Sequence, residues 1–441
     1  MNAACGEYFR DILPNGLRLI TVEMPHLHSA EMMCYVGVGG RHETPEFAGI
    51  SHFLEHMLFR GTAEHPSSLE LEQAFEAIGG AVNASTDPET TCYHSRLHPQ
   101  ELATGASLFA SMLRRPLLRE LETERRIILE EALEDLNEKG EEISPDNLIA
   151  RLLWPGHALS LPTIGTRESI SRIGEAELRQ HHQSYYTPLA TVVAVAGPVR
   201  RAEVVTAVTA AFGDWQGGGP PACLPAPAAV ESAPEAVWKR DSDSQVSLQF
   251  AFRLPGRAAV GSISLRLLRR LLSGGGASRL MLQLREKLGL TYSVEANLAL
   301  LADTGVFSVD LAVARENLVP AVREVLAIFS ELHRHPAGEA ELARVVRNFL
   351  FDLDFSRDHT DEMAGRYGWG EAVGFLRTVD QDRQEALAVT PQELWHTARQ
   401  LFVPAQLKLA ATGPFGARER RQVEKLLATW QPAASLTEPH R

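Results

Sequence analysis

Two histidines and a glutamate fall within five residues, His52-Phe53-Leu54-Glu55-His56. Residues four apart share one face of a helix. His52 and His56 can therefore reach one cation together, and zinc suits imidazole nitrogen. Glu55, next to His56 and one turn from His52, is placed to take a proton from an attacking water. This is the HxxEH order found in one class of metallohydrolases. Ile50, Phe53, Leu54, Met57 and Leu58 around it predict a largely buried helix, where an idle charge is costly. The competing reading is a helix surface with two histidines and an unrelated glutamate.

A catalytic zinc needs a third protein ligand and an open fourth position. The segment ETERRIILEEALEDL offers one: Glu124 and Glu131 lie two helical turns apart and share a face. Glu130 points away from the apolar stripe of that segment and reads as solvated. Spacing alone does not choose between Glu130 and Glu131 as the ligand.

The elements that must position these residues are written twice. Leu178 to Pro198 pairs with Leu394 to Pro414 at an offset of 216, each a helix-like segment, a proline, an apolar strand and a Gly-Pro stop. Gly40-Arg41 matches Gly256-Arg257 in the same register, which marks an internal duplication. Gly217-Gly218-Gly219-Pro220-Pro221 and the Ala/Pro-rich stretch after it cannot build a core. We therefore expect an N-terminal metal-binding domain over residues 1–216, a linker over 217–235 and a homologous domain over 236–441. Strand signals (17–22, 32–38, 191–196, 247–252, 306–313) interleave with long helical patterns (69–78, 121–136, 265–272, 319–332). That mixture predicts an α+β fold. At the 216 offset His52, Glu55 and His56 fall opposite Leu268, Leu271 and Leu272, so the second half has no metal site of its own.

Composition narrows the function classes. Of the 441 residues 44% are apolar and 22% charged, which is globular, and the formal charge of -13 argues against a nucleic-acid partner. Cys5, Cys34, Cys92 and Cys223 lack CxxC spacing and are expected as reduced thiols. The N-terminal stretch has no basic region leading into an apolar run, and no apolar run is long enough for a membrane span, so a cytoplasmic protein is expected. The glycine loop Ser273–Arg279 lacks the lysine of a phosphate cradle.

HFLEHMLFRGT, with the Glu124/Glu131 pair following, resembles the inverzincin zinc peptidases, the family of pitrilysin, insulinase and the mitochondrial processing peptidases, in its short bacterial-type form. The resemblance runs over essentially the whole chain. It includes GGAVNASTDPETTCYHSRL (79–97), HALSLPTIGT (157–166), YYTP and VVAVAGP before 198, and LREKLGLTYSV (284–294) after the glycine loop. It implies two homologous α/β-sandwich repeats, each a mainly antiparallel sheet with helices packed on one face, facing each other across a closing cavity. It also implies one zinc per chain held by His52, His56 and Glu131, with Glu55 as base and Glu124 supporting the ligands. Asn83 and Ala84 would pair with an extended peptide, and Arg285 and Tyr292, seven apart, would serve the scissile carbonyl. The implied activity is endopeptidase action on unstructured or precursor peptides, by a homodimer or a heterodimer with a related subunit. The alternatives are a non-catalytic subunit of such a heterodimer and a hydrolase of non-peptide bonds.

Overall fold

Pro14-Asn15-Gly16 closes the first hairpin, with the Leu13 N–H bonded to the Leu17 carbonyl at 2.9 Å. The computed structural model describes residues 8–229, 232–259 and 261–432; Cys5 lies outside them. The hairpin joins β1 (Phe9–Ile12) to β2 (Arg18–Glu23), and β3 (Ala30–Val36), β4 (Val82–Thr86), β5 (Thr91–Leu97) and β6 (Thr191–Gly197) complete the first sheet. Its order is β1-β2-β6-β3-β5-β4. The second sheet contains β7 (Glu235–Arg240), β8 (Val246–Pro255), β9 (Thr291–Leu300), β10 (Thr304–Val313) and β11 (Leu407–Gly413), in the order β7-β11-β8-β10-β9. Pairing is antiparallel except β2 with β6 and β7 with β11.

The duplication is visible residue by residue. The helices Glu175–Tyr185 and Pro391–Leu401 and the strands Thr191–Gly197 and Leu407–Gly413 each stand 216 residues apart. β3 and β8 begin at the same offset, Ala30 and Val246. β2-β6-β3-β5-β4 therefore corresponds to β7-β11-β8-β10-β9, with β1 added to the first sheet. The fold is α+β with two homologous halves, as expected.

Every position of β3 and of β6 is buried, so neither strand alternates in polarity. One face of the first sheet presents Met32, Cys34, Val36, Val193 and Val195 to a core that includes Phe53, Leu54, Met57 and Phe109. The other face is covered by the helix Thr360–Ala372, drawn from the second half of the sequence. A Cβ on its Gly368 would stand 2.7 Å from Ala194 Cβ and 2.8 Å from Tyr35 Cε2, so only glycine allows this approach. Glu371 on the same helix accepts both Arg10 Nε and Nη2 at 2.9 Å.

The second sheet receives the equivalent helix from the first half. In Pro145–Leu153, Asp146 Oδ1 accepts from Gln249 Nε2 of β8 at 2.6 Å, and the following Trp154 donates to Thr304 Oγ1 at 3.1 Å. The compact units are accordingly 1–132, 157–225 and 353–381 for one, and 133–156, 226–352 and 382–441 for the other. This redraws the linear division at 216 and 236, and adds a helix to the second face of each sheet, where helices were expected on one face. The helix expected over 121–136 stops at Glu131, where the chain passes from one unit to the other. Among the described residues no helix is long and apolar enough to cross a membrane.

Candidate metal centre

The helix Ile50–Leu58 buries Ile50, Phe53, Leu54, Met57 and Leu58. Phe53, Leu54, Met57 and Leu58 are fully buried, and each is worth about 1.5–3 kcal/mol on transfer from water. That burial fixes the rotation of the helix and holds His52, Glu55 and His56 on a defined side. Its first turn has no side-chain cap of its own. Glu43 supplies one from outside: its Oε2 accepts the Gly49 N–H at 2.6 Å and its Oε1 the Ser51 N–H at 2.8 Å, a carboxylate on the positive end of the helix. Burial pushes the Glu43 carboxyl up to about 7 against those two hydrogen bonds. Gly49 enters the helix at φ +87°, with room for no Cβ beside the Ile164 carbonyl oxygen at 2.4 Å. The HALSLPTIGT segment thus has a structural role, since its Ile164 and Gly165 form the seat of the histidine helix.

His52 and His56 stand with ring centroids 4.6 Å apart. Glu131, at the end of the helix Leu121–Glu131, places Oε1 at 3.7 Å from His52 Nε2 and Oε2 at 3.6 Å from His56 Nε2. One donor atom from each of the three lies within 4.8 Å of the others, and among the described residues this is the one such group able to hold a metal ion. Both glutamates are exposed, but Glu130, one residue earlier, lies outside the group. Tertiary placement brings Glu131 to the histidines.

Glu124 stands behind His56. Its Oε2 meets His56 Nδ1 at 3.0 Å, and its Oε1 takes the Arg60 guanidinium. With Nδ1–H donating to Glu124, the lone pair of His56 lies on Nε2, the side facing Glu131, which is the tautomer a metal ligand needs. Glu120, at φ +59°, turns the chain into this helix and meets Arg60 Nη1 at 3.2 Å.

The charges divide clearly. Burial and neighbouring His56 push the His52 imidazole down to about 4, so it is neutral at physiological pH and free to donate a lone pair. Burial also disfavours charge on His56, but Glu124, Glu55 and Glu131 outweigh it and raise its pKa. A cation would take the place of that proton. Burial works against the Glu124 charge too, yet His56 and Arg60 hold it below the ordinary carboxylate range. Burial raises the Glu55 carboxyl, partly offset by the hydroxyl of Thr86, which donates to Oε2. Two neutral-capable imidazoles and a carboxylate converging on one point are a donor set that fits zinc.

Residues 18–167 match the family described as Insulinase (Peptidase family M16), and residues 172–349 match Peptidase M16 inactive domain. An uncharacterized zinc protease of Mycobacterium tuberculosis is 32% identical over 93% of this chain and 94% of its own length. This chain belongs to the M16 peptidase family. The chain is also similar to the uncharacterized zinc protease YmxG of Bacillus subtilis, 30% identical over 91% of this chain and 97% of that protein. The beta subunit of the mitochondrial-processing peptidase of Blastocladiella emersonii is 28% identical over 91% and 88%. A protease from Helicobacter pylori shares the M16 fold at TM-score 0.83 with 22% identity, covering 92% of this chain and 99% of that one.

The remaining predicted residues take the following places. Asn83 and Ala84 lie on β4, the last strand of the first sheet, in register with His94 and Tyr93. Asn83 is exposed, and the outer edge of β4 pairs with no strand among the described residues. Arg285 and Tyr292 belong to the other unit. Arg285 sits in the π-helical turn Met281–Lys287, its guanidinium 4.9 Å from the ring centroid of Tyr292, which is 79% exposed at the start of β9. The helix Ser262–Ser273 of that unit buries Leu265, Leu267, Leu268, Leu271 and Leu272 and contains no histidine.

Three residues about the site escaped the sequence reading. Arg60 and Glu43 act through contacts distant in sequence and left no local signal. Thr86 left one: it follows Val82 and Ala84 in the alternation that faces the histidine helix.

Proposed function

We propose that this M16 chain is a zinc-dependent endopeptidase of unstructured peptides, with His52, His56 and Glu131 as ligands and Glu55 as general base. One observation carries the reading: three donors from two helices converge, and the buried Glu55 carboxylate, from the helix of the two histidines, stands near them. Zinc, when bound, supplies a Lewis acid that acidifies water and polarises a carbonyl. Glu55 accepts the proton of the attacking water and returns it to the leaving amine. Its carboxyl, raised by burial, suits both halves of that transfer.

The free edge of β4 at Asn83 and Ala84 takes the peptide as an added strand through main-chain hydrogen bonds, which asks little of substrate sequence. Arg285 and Tyr292 supply donors to the oxyanion, a contribution of about 3 kcal/mol per donor. The processing-peptidase relative supports a working state with a second copy or a related subunit.

The test is cleavage of a quenched unstructured peptide by this chain alone, beside Glu55→Gln. Loss of turnover with zinc retained is expected; equal turnover in the two proteins sinks the assignment.

A further inference from the structure

The strand offered to the peptide and the base of the reaction meet at one hydrogen bond. β4 ends at Thr86, and its Oγ1–H donates to Glu55 Oε2. Alternate residues of a strand share a face, so Thr86 lies on the side of Val82, which is buried in the core, and of Ala84, which packs against it. The hydroxyl is thereby aimed at the histidine helix, away from the face of Asn83.

Its backbone is held from the other end by a tight turn. Asp87 Oδ1 accepts the N–H groups of Glu89 and Thr90, both at 2.8 Å, and Oδ2 accepts Thr90 Oγ1–H at 2.9 Å. The turn is docked in turn: the Arg41 N–H donates to the Pro88 carbonyl at 3.0 Å, and the Arg41 guanidinium is ion-paired with Glu89 in the interior. Only the outer edge of β4 is left open. Thr86 occupies Oε2 of Glu55 and leaves Oε1 to receive a proton.

We propose that Thr86 is a positioning residue for Glu55. The threonine hydroxyl fixes the carboxylate rotamer, and it couples that rotamer to the strand on which the peptide docks. The inference rests on the endopeptidase reading above, with Glu55 as base. Thr86 keeps its own proton throughout; it donates a hydrogen bond and takes no part in proton transfer.

The experiment compares Thr86→Val and Thr86→Ser in the full chain. Valine keeps the shape and the strand preference while removing the hydroxyl; serine restores it. A hydrogen bond to a charged group sets the scale, so kcat of Thr86→Val should fall about tenfold or more, with KM within about twofold of wild type. Thr86→Ser should recover most of the loss. Zinc stoichiometry, and the affinity of the metal-free protein for a labelled unstructured peptide by fluorescence anisotropy, should be unchanged in both variants. An unchanged kcat overturns the proposal, as does a loss that serine fails to recover or a loss of peptide affinity. An active Glu55→Gln protein would instead overturn the parent reading, so the two failures are told apart.

Discussion

Replacing Glu124 by glutamine keeps the shape and removes the charge, and three contacts set the consequence. Glu124 Oε2 takes His56 Nδ1–H at 3.0 Å while Oε1 takes Arg60. An amide has one acceptor and one donor end. With its oxygen on His56, its NH2 faces the Arg60 guanidinium, donor against donor, in an interior where the side chain is 7% exposed. Turned over, its NH2 faces Nδ1, which must then carry the lone pair, and the proton moves to Nε2, where the metal should bind. Either way a charge-assisted hydrogen bond worth about 1.5–3 kcal/mol is lost. Loss of such a support for a ligand histidine typically costs about 10–100-fold in metal affinity, or about 1.4–2.7 kcal/mol. We expect the zinc Kd of Glu124→Gln to rise by that factor, measured at neutral pH by competition with a chromophoric chelator, with the circular dichroism of the fold preserved. A variant binding zinc as tightly as wild type would refute the argument, because neither orientation of the amide satisfies both neighbours.

Further outcomes are expected elsewhere in the molecule. The Glu43 carboxyl is raised from 4.5 to about 7 by burial, so in that window the unfolded chain has released a proton that the folded chain keeps. Stability should therefore fall as pH rises from 4.5 to about 7 and level off above, with Glu43→Gln flattening the fall by up to about 3 kcal/mol in urea titrations across pH; parallel curves would refute this. Arg41→Met leaves Glu89 buried without its guanidinium and should cost about 3 kcal/mol, much of it recovered in Arg41→Met/Glu89→Leu. Equal loss in the single and double variants would refute that. Gly368→Leu should force the helix Thr360–Ala372 off Tyr35 and Ala194 at a cost of about 1–3 kcal/mol, with zinc affinity retained because the histidine helix packs on the other face. An undiminished denaturation midpoint would count against that packing.

How much was legible beforehand follows from the range of each interaction. The convergence of His52 and His56 depends on four residues of helix, and backbone geometry alone brings them together. The 216-residue repeat was equally plain, because each copy carries the same local order of helix, proline, strand and Gly-Pro stop. Glu131 against Glu130 was not decided locally: both sit near the end of one helix, and the choice turns on which side meets the histidines. Thr86 could be assigned to a face of β4, but nothing near it in sequence places Glu55 against that face.

The exchanged helices were the least legible. Pro145–Leu153 lies within the first half of the sequence and Thr360–Ala372 within the second, and each covers the sheet of the other half. An apolar helix face records that it must be buried and carries no address. Spacing along the chain therefore determined the chemistry this protein offers, down to two imidazoles and their neighbouring carboxylate. Which distant carboxylates complete, support and cap that group was decided only when the whole apolar surface was packed away, because burial is non-directional and is settled by the sum of all the pieces.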